Sequence, residues 1–135
     1  MELAILIHVA AAIMATLAVL HLVYTLHDLC ARPRYFRPAD RSLLEPMQAT
    51  TVALAPQGHN FWQTLLGFHL SHAIGVLLYV VLIELAVDPQ LAWLRPGVVA
   101  LGAIYAVIGW TCWFSTPAIG ATLAAVLLML GWYLP

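Results

Sequence analysis

The chain has 135 residues, 64% of them hydrophobic and 8% charged, with a formal net charge of -1 and a mean hydropathy of +0.95. Soluble domains carry about 25% charged residues, so these proportions exclude a soluble globular domain and indicate one integral membrane domain over residues 1–135. The slightly acidic balance offers no electrostatic footprint for nucleic acid, and the two cysteines, Cys30 and Cys112, suggest no disulfide framework.

In chain order, the first predicted helix covers about residues 3–27, an apolar run long enough to cross a hydrocarbon core of roughly 30 Å. Glu2 stands where a signal peptide carries its basic region, so this run reads as a retained span. His21, Tyr24 and Asp28 fall at i, i+3 and i+7 and share a face, while His8 points elsewhere.

Residues 28–60 form the one sizeable extramembrane segment, with Arg32, Arg34, Arg37 and Arg41 interspersed with Pro33, Pro38, Pro46 and Pro56. Four of the five basic residues lie here, so the positive-inside rule assigns it to the cytoplasm and both termini to the outside of what reads as a bacterial inner membrane. Asp40 ahead of SLLEPMQATTVALA predicts a short capped helix that lies on the membrane surface or folds over the bundle mouth, with Leu43, Leu44, Met47 and Val52 available for an interface and Pro46 as a point of breakage.

The second long helix, about residues 61–86, holds the most informative stretch of the chain, HNFWQTLLGFHLSH. Three of the six histidines, His59, His69 and His72, fall in it. His69 and His72 share a face with Trp62 and Tyr79, and Gly67, Ser71 and Gly75 form a small-residue stripe opposite, a pattern that lets membrane helices approach closely. A DP step at Asp88 and Pro89 ends the helix. Helix three, about 97–114, carries Gly102, Ala106 and Gly109 as a packing stripe. Ser115-Thr116-Pro117 is read as a turn. Helix four, about 118–134, carries Gly120 and Ala124 and ends in an interfacial belt of Trp132 and Tyr133. The expected fold is therefore all-α, a four-helix transmembrane bundle with a short interfacial helix between the first two spans.

If the first two spans are antiparallel neighbours, His21 and His69 lie level, roughly 9 to 12 Å below the cytoplasmic surface. His72 is a turn deeper, and Asp28 or His59 sits at the mouth. Ionisable groups at membrane depth are costly and mark functional sites by default, so His21, Tyr24, His69 and His72 define a candidate polar pocket. Three functional readings compete. Neutral imidazoles of His21, His69 and His72 are ligands for haem iron or a transition metal, or the pocket holds a lipophilic ligand. An accessory subunit of a larger membrane complex or a homo-oligomer uses the same groups as interhelical hydrogen bonds. An isomerase-like enzyme uses a histidine with Tyr24 or Glu84 for acid/base chemistry on an apolar lipid such as an isoprenoid or quinone. No CxxCH, HExxH or paired ExxH motif is present, and an intramembrane histidine satisfied by a neighbouring helix accounts for each ring singly.

The motifs HLVYTL, YFRPAD, NFW, GFHLSHAIG and FSTPAIG, in that order, resemble a family of small, uncharacterised bacterial four-helix integral membrane proteins. The resemblance covers most of the chain and implies the same fold. It supports His21, Tyr24, Asp40, Trp62, Ser71 and His72, and implies that His69, where the family often has another residue such as Asn, is peculiar to this member. It implies no activity.

Overall fold

A computed structural model of the protein describes residues 2–134. The element order is α1 (Glu2–Cys30), a 3₁₀ turn (Arg41–Leu43), α2 (Leu44–Ala49), α3 (Phe61–Leu85), a second 3₁₀ turn (Pro89–Leu94), α4 (Arg95–Cys112) and α5 (Ser115–Tyr133). Among the described residues there is no strand, only an isolated bridge between Thr51 and Asn60. Among the described residues, four helices are long and apolar enough to cross a membrane. Their outward surfaces are correspondingly greasy: Phe68 and Phe114 are each 72% exposed and Trp110 61%. Such a surface is untenable in water and ordinary against acyl chains.

Helix boundaries follow the prolines. Pro117 was expected to close a turn, yet it occupies the first turn of α5, where the missing N–H is one that no helix could satisfy. The connection between α4 and α5 shrinks to Trp113 and Phe114, with the Trp113 N–H closing on the Gly109 carbonyl at 3.1 Å. Pro46 likewise sits in the first turn of α2 and starts that helix instead of breaking it. Asp40 caps the preceding 3₁₀ turn by accepting from the Ser42 N–H at 3.0 Å and the Ser42 hydroxyl at 2.7 Å. The hydroxyl first and then the N–H hold the Asp40 carboxyl below its usual range. Between α3 and α4, Asp88 accepts from the Gln90 N–H at 2.8 Å. Arg95 then reaches back, its Nε donating to the Ala86 carbonyl at 3.0 Å and its Nη2 to that of Val87 at 3.4 Å.

The chain forms two compact units. The first comprises the chain up to Ala18 together with everything from Gly75 onward, and the second is Val19–Ile74. The first unit holds an apolar core drawn from α1, α3, α4 and α5, including Ala10, Met14, Tyr79, Ile83, Val98, Ala121 and Leu128. Tyr79 is 1% exposed, and its hydroxyl donates to the Val98 carbonyl at 2.9 Å, which satisfies the one polar atom that burial of the ring would otherwise strand. At the other edge of this unit His8 Nδ1 lies 3.1 Å from Glu84 Oε2.

Small residues decide how closely the helices approach. A Cβ on Gly109 would stand 2.8 Å from the Cα of Ala118, and one on Gly102 would stand 2.6 Å from the Tyr79 hydroxyl and 3.4 Å from the Ala125 Cβ. The Gly102–Gly109 stripe is thus the contact by which α4 meets its neighbours. The Gly67 side of the α3 stripe differs from expectation: nothing lies within 4 Å of where its Cβ would be, and Ser71 is exposed and donates to its own helix at Phe68. Small residues permit close packing but do not supply a neighbour. In detergent, Gly109→Ala is therefore expected to lower thermal stability by about 1–3 kcal/mol through overpacking. Gly67→Ala should stay within about 0.5 kcal/mol of the parent. Paired thermal unfolding measurements check both.

Candidate functional site

In the second unit, α1 and α3 bring two of the sequence-selected imidazoles into direct contact. His21 Nε2 lies 3.1 Å from His69 Nδ1, the level match expected from counting residues inward from the two helix ends. The ring centroids of His21 and His69 are 5.0 Å apart, and those of His21 and His72 5.4 Å in an edge-on arrangement. All three side chains are half-buried.

A hydrogen bond between imidazoles fixes their chemistry. One nitrogen donates and the other accepts, so at least the accepting ring is neutral while the bond exists. Two nitrogens on opposite sides of one iron would stand about 4 Å apart, given metal–nitrogen bonds of about 2 Å; the His21–His69 separation is the shorter one of a direct bond. Among the described residues no group of three or more His, Cys, Asp or Glu side chains is arranged to hold a metal ion.

The loop supplies what sequence reading missed. Phe36 stacks on His69 with centroids 4.0 Å apart and lies 5.2 Å from His21. Its position follows from Asp28, in the last turn of α1, whose side chain is fully buried. Asp28 Oδ1 accepts from the Arg34 N–H at 2.9 Å. Oδ2 accepts from the N–H groups of Tyr35 at 2.9 Å and Phe36 at 2.8 Å. His27 Nδ1 adds a contact to Oδ1 at 3.1 Å. One carboxylate thus folds the chain back after α1 and sets two successive aromatic rings: Phe36 against the histidines, and Tyr35 against Tyr24 at 4.2 Å, nearly parallel. Arg34 completes the outer edge with its guanidinium 5.3 Å from the Tyr35 ring centre.

The other sequence candidates distribute as follows. Tyr24 belongs to the tyrosine stack held by the loop. His59 is exposed in the loop ahead of α3. Glu84, considered as an acid/base partner, pairs with His8 in the first unit. Trp62 is buried, 5% exposed. The one local signal for the loop clamp was Asp28 itself, because a carboxylate in the last turn of a helix opposes the macrodipole and so needs another source of stabilisation.

No family model matches the chain, and neither a curated protein nor a solved structure does.

Removing the Asp28 carboxylate would leave three backbone N–H groups without their acceptor. Asp28→Ala is expected to cost about 2–4 kcal/mol and to release residues 33–36, read as faster amide exchange confined to that segment and the facing turns of α1 and α3. Unchanged exchange at Tyr35 and Phe36 would show that the clamp does not hold the loop.

Proposed function

We propose that this chain is a small integral membrane protein that binds a lipophilic ligand with a polar head at His21, His69 and His72, beneath Phe36 and beside the Tyr24–Tyr35 stack. The observation that carries this reading is the 3.1 Å bond between His21 Nε2 and His69 Nδ1. Whichever ring donates within the pair, the two outer nitrogens, Nδ1 of His21 and Nε2 of His69, are one N–H and one lone pair. With both rings neutral, the pair therefore presents a donor and an acceptor together. That combination suits a head bearing carbonyl and hydroxyl oxygens, as in a quinone or a hydroxylated isoprenoid. A head that only accepts or only donates uses half of it. Half-burial between two apolar helices adds that the rest of the ligand is hydrocarbon, and stacked Phe36 gives the polar head an apolar cover.

In this reading the four long helices cross the membrane, residues 28–60 lie on the cytoplasmic side with the six-residue α2 at the surface, and both termini lie outside. The arginine distribution supports that orientation. Membership of the small four-helix family named above rests on the order of its short motifs, HLVYTL through FSTPAIG.

Protein purified in mild detergent should carry a co-extracted lipid with a carbonyl- or hydroxyl-bearing head. Its content should fall about fivefold or more in His21→Ala and His69→Ala, since each removes one hydrogen-bonding partner worth roughly 1 kcal/mol or somewhat more. Equal lipid content in parent and variants would remove this reading. A Soret band or a stoichiometric metal lost in the same variants would replace it with haem or metal ligation by His21, His69 and His72.

A further inference from the structure

A cleft of about 280 Å³ opens in the second unit where the end of α1, α2 and the first turns of α3 meet, and the residues around it include the polar Asp28, Gln48, Asn60 and Gln63 and the apolar Trp62 and Leu66. Apart from Asp28, which positions Phe36 against the histidines, none of these residues belongs to the imidazole site. The charge at its wall is accounted for: Asp28 accepts from three backbone N–H groups and contacts His27, so it calls for no cation. No arginine lines the cleft, so it offers no counter-charge to an anion. What remains is carboxamide chemistry. The Asn60 carbonyl oxygen already accepts from the Gln63 N–H at 2.8 Å, which leaves its NH₂ to donate, while the exposed side chains of Gln48 and Gln63 each both donate and accept.

Groups that donate and accept in alternation match hydroxyls, which do the same. Two carboxamides and an NH₂ around one cleft match several hydroxyls on one rigid ring, and Trp62 and Leu66 give that ring's C–H face an apolar surface. The volume falls just below the roughly 300–1,000 Å³ of drug-sized sites, room for a headgroup and not for an acyl chain.

We propose that this cleft binds a neutral, polyhydroxylated headgroup of sugar type, carried by a membrane lipid or taken as free sugar. The full chain in phosphatidylglycerol nanodiscs tests it, doped in parallel with monoglucosyl diacylglycerol or plain diacylglycerol and read by native mass spectrometry, with methyl glucoside titrated separately by calorimetry. The glucosyl lipid should be retained about fivefold or more over diacylglycerol, and the double variant Gln48→Leu/Gln63→Leu should abolish that preference, as expected for the loss of two hydrogen-bonding groups. Both glutamines are exposed, so the fold should persist, with helical content by circular dichroism as the control. The lipid co-extracted through His21 and His69 should be unchanged in the double variant, which separates this site from that one. Methyl glucoside binding that disappears in the double variant assigns free sugar. Lipid preference without glucoside binding assigns the lipid headgroup. Equal retention of the two lipids with no glucoside binding overturns the proposal, as does a preference that survives the double substitution.

Discussion

The arrangement of the second unit depends on one buried carboxylate. Burying an ionised group between helices is costly unless donors surround it, and Asp28 gathers three backbone N–H groups and a histidine ring. The backbone donors all come from the segment following its own helix, so the cost is offset locally and the loop is fixed in the same act. Consecutive residues of that segment then act on different targets: Tyr35 braces Tyr24, and Phe36 closes over the histidines. The order of this site comes from main-chain groups, which any sequence possesses, converging on a side chain that few helix ends would tolerate.

The imidazole pair and the loop clamp solve opposite problems. The clamp keeps a charge in a buried position by saturating its oxygens with donors. The pair needs no charge, because two neutral rings joined by a single hydrogen bond satisfy each other, one donating and one accepting. Having the two devices on one helix, Asp28 two turns beyond His21, confines the permanent charge to the loop end of α1.

The apolar runs that became α1, α3, α4 and α5 were legible because roughly 20 apolar residues in succession admit no other reading. Their ends were less so. Pro46 and Pro117 read as interruptions in the sequence, whereas each sits in a first helical turn, the one place in a helix where a missing N–H does no harm. The approach of His21 to His69 was legible from counting residues inward from two helix ends. The role of Phe36 was not, because the three N–H groups that place it leave no trace in side-chain identity. His8 and Glu84, 76 positions apart, share no local pattern that could have paired them. The Gly67 stripe was overread: spacing shows that a helix is able to approach, and only a partner surface makes it do so.

The bond between His21 and His69 carries a consequence for proton traffic. If the outer lone pair of one ring captures a proton, the bridging hydrogen shifts across, and the far ring sheds its own. A unit of charge then advances by the length of two rings, and the dyad is neutral again with its polarity reversed. A second passage in the same sense is blocked until both rings turn over or the first transfer runs backward. Such a dyad behaves as a latch that records the direction of the last event, not as an open wire.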